Sequence, residues 1–144
     1  MITDERKATI KSVSQLEKTL WTWFSRFIRL RDADKSGYCR CITCKKPFFW
    51  KEGDAGHFIS RNHKTTKYDE KNVNAQCSYC NRFQSGNQFE HGLAIDSKYG
   101  SGTAANILQK SKIVSKRSVF TLSFMIEEYK KKAKFEAVKK GIKL

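Results

Sequence analysis

The chain holds 144 residues, with 29 Lys and Arg against 14 Asp and Glu, for a formal net charge of +15. Its 39% apolar and 12% aromatic content can build a core, which excludes global disorder, and no apolar run approaches the ~18 residues of a membrane span. The length suits a single domain over 1–144, and the opening MITDERKATIK lacks the apolar core of a secretion signal, so a cytoplasmic location is expected.

In chain order, Ser14-Gln-Leu-Glu17 reads as a capping box. Leu16, Leu20, Trp23, Phe24, Phe27 and Leu30 then recur at three- and four-residue steps. That spacing predicts an N-terminal amphipathic helix over 14–36, ended near Gly37, with its aromatic stripe in the core. Arg26, Arg29 and Arg31 lie around its C-terminal half, available to phosphate or to the helix dipole. Pro47-Phe-Phe-Trp50 reads as a short strand or loop. Residues 55–60 read as a strand, 64–68 as its antiparallel return, and 72–76 as a loop. A short helix is expected from Cys77, stopping at Gly86. Asn87, with Glu90 three residues on, marks the N-cap of a helix to Tyr99. Gly100-Ser-Gly102 is a turn, and Thr103 caps a helix to Lys110. After a polar loop over 111–118, Leu122, Met125, Ile126, Tyr129 and Ala133 mark a last amphipathic helix. The fold class is α+β, mainly helical around a small β element.

The positive excess points to a polyanionic partner, most often nucleic acid. It is uneven: residues 1–50 carry +6, residues 51–97 are neutral, and residues 98–144 carry +9. Two basic flanks thus bracket a neutral centre that contains His57, His63 and His91. Flanks gripping phosphates around a neutral site suit an enzyme acting on a polyanion, although runs such as Lys130-Lys131-Lys132 are just as often solvated helix faces.

Five cysteines is an odd number, and a disulfide framework fits poorly. Cys41-Ile-Thr-Cys44 and Cys77-Ser-Tyr-Cys80 are two CxxC knuckles separated by 32 residues. Four thiolates so spaced suit a tetrahedral structural Zn²⁺. A redox motif needs only one such pair, and iron–sulfur runs are usually denser. Cys39 falls outside the knuckle and reads as a small buried hydrophobe or a spare thiol. A four-thiolate zinc is closed to substrate, so any chemistry must use other residues.

Those other residues stand between and beside the knuckles, in Asp54-Ala-Gly-His57-Phe-Ile-Ser-Arg61 and Asn72-Val-Asn-Ala-Gln-Cys77-Ser-Tyr-Cys80-Asn81. A histidine on a hairpin, held by a zinc knuckle against a helix, can face Asn81 across a small cleft. Phosphodiester hydrolysis needs a base for water and a cation for the developing charge. His57 can serve as the base. Mg²⁺ or Mn²⁺ wants oxygen ligands, which Asp54 and Asn81 offer. Arg61 and Arg82 flank the cleft and suit DNA phosphates. The bland alternatives are a structural or zinc-binding His57, a turn-forming Asn72, an Asn81 that only caps its helix, and arginines that are plain surface charge.

The same residues carry a resemblance. His57, Asn72 and Asn81, with a CxxC just ahead of Asn81, resemble the HNH nuclease motif in its H-N-N form. The stretches LRDAD…GY…CITC, DAGHFISR and NVNAQCSYCNRFQSGNQFE, in that order over roughly residues 24–100, resemble the NinG (Rap) family of phage recombination endonucleases. The resemblance implies a zinc-stabilised ββα-metal core over 38–100, flanked by the N-terminal helix and a basic C-terminal helical extension over 101–144. It implies metal-dependent cutting of branched recombination intermediates such as Holliday junctions or D-loops, inside a bacterial host and alongside recombination proteins. It also implies roles: His57 as general base, Asn72 as a positioning residue, Asn81 as a ligand of the catalytic cation, and Cys41, Cys44, Cys77 and Cys80 as zinc ligands. One position departs from the wider motif. Gly56 stands where many HNH members place an Asp or His ligand, which leaves Asp54 as the substitute. Residues three apart on a strand point to opposite faces, so Asp54 reaches the cation only if Gly56 allows a bulge.

Symmetric cutting of a junction suits a homodimer, with Trp21 or the last helix as its interface. Phe58, Ile59 and Phe83 are core candidates, while Phe48, Phe49 and Trp50 either pack under the zinc site or wedge into a junction. His63 reads as a surface residue and His91 as structural. Two further functions remain open: a non-catalytic zinc module that binds nucleic acid, and a sequence-specific HNH enzyme acting on linear duplex.

Overall fold

The structure, a computed structural model, describes residues 3–144; the side chains of residues 5–11, within the stretch read for a signal core, lie outside that description. The first helix, α1, runs Asp4–Asp32. It begins well ahead of Ser14, which lies inside the helix, so the capping box there is a correction: helical backbone already occupies that position. The three- and four-residue spacing holds, with Leu20, Phe24, Phe27, Ile28 and Leu30 all buried. They meet the last helix, α4 (Val119–Lys140), which lies alongside in the same direction. Phe24 sets its ring edge-on to Tyr129 at 4.8 Å. Farther along, Lys140 Nζ donates to the carbonyls of Leu30 and Arg31 at 2.5 and 2.8 Å. An ammonium there satisfies end-of-helix carbonyls and complements the α1 dipole.

Between these helices the chain makes two separate two-stranded antiparallel sheets. Strand β1 (Tyr38–Arg40) pairs with β2 (Pro47–Phe49), and β3 (Asp54–His57) pairs with β4 (Val73–Gln76). The β4 pairing corrects the sequence reading twice. Residues 64–68 form turns, and the returning strand is the segment taken for a loop. The reason is physical. All four β4 residues are buried, including the polar Asn74 and Gln76, so the short Val-Asn-Ala-Gln alternation marks a strand with amides on a buried face, where a polar, Asn-rich stretch reads locally as a loop.

A π-helical segment (Tyr79–Phe83) leads to α2 (Gln88–Tyr99) and α3 (Thr103–Ser111). Asn87 does precede α2, but in a left-handed conformation with no side-chain capping bond. Gly102, not Thr103, is the N-cap of α3. Ile42, Ile95 and Ile107 form a small second core, against which Phe58 and Ile59 pack. Trp50 is buried with Phe48 and Phe49 packed against the main core, whereas Phe83 is 77% exposed and is not a core residue. The architecture is therefore mainly helical with two small antiparallel sheets. Among the described residues, no helix is long and apolar enough to cross a membrane.

Candidate metal centre and cleft

Cys41 follows β1 and opens a tight turn in which its carbonyl accepts from Lys45 N at 2.9 Å. Lys45 takes φ 66°, the left-handed conformation that turns the chain out of the knuckle toward β2. Cys77 follows β4, and Cys80 sits on the π-helical segment. Ile42 N donates to Ala75 O at 3.0 Å, tying the first knuckle to β4. The four Sγ atoms consequently lie within 4.8 Å of one another, with Cys44 and Cys77 3.7 Å apart. Tetrahedral zinc with bonds of about 2.3 Å sets its sulfurs about 3.8 Å apart, so these four cysteines can hold a zinc ion. Cys39 stays outside the cluster. It is fully buried, and its Sγ donates to Arg29 O at 3.1 Å. Burial, reinforced by nearby Asp32, pushes its thiol up to about 12, so it remains protonated.

The long connection between β3 and β4 is organised by Asn72, which is fully buried. Its Oδ1 accepts from Ile59 N at 2.7 Å, and its Nδ2 donates to Ile59 O and Thr66 O at 3.0 and 2.9 Å. One amide thus replaces the backbone ladder where the strands end. From the other side, Arg31 donates to Glu70 O and Val73 O, and Asp32 accepts from Ala75 N at 2.8 Å. The end of α1 is therefore stapled to β4, and Arg31 has a structural role.

His57, Asp54, Asn81, Arg61 and Arg82 all line one cleft of about 740 Å³. His57 Nε2 lies 2.9 Å from Lys67 O. A carbonyl oxygen can only accept, so in the neutral ring the proton sits on Nε2 and Nδ1 keeps its lone pair. Burial, aided by the charges of Arg61 and Lys67, lowers the imidazole to about 4 against the pull of the Lys67 carbonyl, leaving it neutral at pH 7. Asp54 Oδ2 accepts from Asn81 Nδ2 and from Arg82 Nε, both at 3.0 Å, and Oδ1 accepts from Arg82 at 2.9 Å. Asp54 and His57 reach the same cleft without a bulge, because the β3–β4 register is continuous from Asp54↔Gln76 to His57↔Val73. They stand at the two ends of a short strand that forms the cleft floor. A side chain at Gly56 would have to displace Gln76, because a Cβ there would meet Gln76 Oε1 at 2.1 Å.

Sequence reasoning missed the α1 wall of this cleft. Trp21, Ser25 and Arg29 face it at four-residue steps, a spacing that was visible in the sequence but gave no sign of what it would face. Trp21, which with the last helix is one of two candidate dimer contacts, stacks on His57 with ring centroids 5.0 Å apart and 20° between planes. Arg61 lies over the same indole at 5.9 Å. Arg29 donates to Trp50 O at 2.9 Å and Ser25 Oγ at 3.2 Å. His91 is fully buried beneath Asn74 and outside the cleft, and His63 is exposed with its ring near Ser111 O.

A family model described as "NinG: Bacteriophage Lambda NinG protein" matches residues 2–140. Proteins named "Protein ninG" from Escherichia phage 933W, Salmonella phage P22 and Escherichia phage lambda are each 30% identical over 96 residues. Those matches cover 66% of this chain and 45% of each relative, so the chain spans about half the length of the curated relatives it matches. No solved structure matches it.

Proposed function

The chain belongs to the NinG family, and we propose that it is a metal-dependent DNA endonuclease of the HNH type, cutting branched recombination intermediates in the cytoplasm of a bacterial host. One observation carries this reading. A neutral imidazole, a carboxylate, an amide and three arginines converge on a single cleft beside a four-cysteine cluster.

In this reading β3, β4 and the π-helical segment form the ββα element, braced by zinc at the cysteines. The Asp54 carboxylate with the Asn81 amide is an oxygen-bearing set suited to a hard cation. A cation held there would supply positive charge for the leaving oxygen and for the negative charge developing on the phosphoryl oxygens. Arg82 now occupies both Asp54 oxygens, so a cation held there would require this ion pair to open, which would free the guanidinium for a DNA phosphate. His57 Nδ1 takes the proton from the attacking water as its oxygen bonds to phosphorus and the P–O bond to the leaving strand breaks. The Lys67 carbonyl and the Trp21 ring hold the imidazole in the orientation this requires. Arg61 and Arg29 carry the remaining positive charge of the cleft walls.

The test is cleavage of matched linear, flap and four-way DNA in Mg²⁺ or Mn²⁺ by the wild type and by His57→Ala. Loss of the base should cost about 10²–10⁴-fold in rate. Undiminished cutting by the variant refutes the role of His57. Wild-type protein that shifts branched DNA and never cuts it leaves a non-catalytic zinc module instead.

A further inference from the structure

Tyr79 and Phe83 occupy one side of the π-helical segment. They are 62% and 77% exposed, and their rings stack with centroids 6.2 Å apart and 28° between planes. Neither ring joins either core cluster. Scattered apolar side chains on a surface need no explanation, but a stacked pair held in water is a contiguous apolar patch. It is also ordered. Gln84 Nε2 donates to Tyr79 Oη at 2.9 Å, and Gln84 N donates to Tyr79 O at 3.1 Å.

Their neighbours on the same short stretch, Ser78, Asn81 and Arg82, line the cleft. The rings therefore stand on the outer side of the wall whose inner side holds Asp54. A ligand reaching from the cleft over this wall meets a guanidinium first and two π-faces next. That sequence of groups matches a nucleotide whose base is unpaired: phosphate for Arg82, and a flat base for the rings. Paired duplex keeps its bases stacked on one another and offers the rings nothing.

We infer that Tyr79 and Phe83 form a stacking platform for unpaired bases, so that the cleft favours DNA with a single-stranded or opened segment over continuous duplex. The inference rests on the proposed DNA-cutting function and names what selects its substrate.

The experiment measures fluorescence anisotropy with a single-stranded oligonucleotide, a four-way junction and a linear duplex, without added Mg²⁺. Wild type is compared with Tyr79→Ala, Phe83→Ala and the double variant, and with Tyr79→Phe and Phe83→Tyr, which keep both π-faces. Zinc content and circular dichroism check that each variant is folded. Each alanine should weaken binding to single-stranded and junction DNA about fivefold or more, leave the duplex nearly unchanged, and be absent in the conservative variants. An equal loss on all three DNAs, or no loss on any, overturns the platform while leaving the cleft reading intact. A wild-type protein that binds none of the three overturns both.

Discussion

His91 supplies a pH-dependent instability that can be worked from the structure. Its side chain is 0% exposed, with Nε2 3.4 Å from Asn74 Nδ2 and Nδ1 left without a hydrogen-bond partner. Burial first, and then the charges of His57 and Lys98, lower it from 6.5 to about 4. The folded value lies below the unfolded one, so between the two the unfolded chain binds more protons, and stability falls as pH falls. The deficit is nearly absent at pH 7, reaches about 2 kcal/mol at pH 5, and is complete at about 3.4 kcal/mol well below pH 4. In His91→Leu this contribution is gone, whatever pH-independent cost the lost Asn74 contact adds. Urea unfolding of both proteins at pH 7 and pH 5 measures the difference. Protonation of the cysteine thiolates affects both alike, so the wild type should lose about 2 kcal/mol more than the variant over this interval. Equal losses would refute a neutral, buried His91.

Three other outcomes follow from the packing. Asn72→Ala strands the part-buried Ile59 amide and two carbonyls and should cost about 2–4 kcal/mol of stability by urea unfolding. Gly56→Ala drives a methyl into Gln76, whose Nε2 is tied to Thr43 and to Gly86 O, and should cost about 1–3 kcal/mol in a thermal melt. Metal analysis of purified protein should find one zinc per chain, which Cys80→Ser largely abolishes and Cys39→Ser retains, since Cys39 lies outside the four-sulfur cluster.

Some of this was legible in the residue string because local rules govern it. The three- and four-residue spacing of Leu20, Phe24 and Phe27 fixes a helix face whatever that face meets. Two CxxC turns declare a four-sulfur cluster because each turn presents its sulfurs within a few residues. Strand β4 was hidden because burial there is satisfied by hydrogen bonds rather than by apolar side chains. Gln76 and Asn74 look like loop residues until their partners are known. The early start of α1 was hidden for a related reason. Ser14 and Glu17 form a good local cap, and helix propagation from Asp4 overrides it.

The composition, the charge split, the helix stripes and the knuckle spacing are thus properties of the sequence by itself, since each depends on residues close along the chain. The cleft is different. It exists because α1 is stapled through Arg31 and Asp32 to β4, which brings Trp21 onto His57 from a distant part of the chain. The same packing sets Asp54 between Asn81 and Arg82, and fills the space beside Gly56 with Gln76. These contacts join segments far apart in sequence, and only the folded chain decides which side chains share a wall.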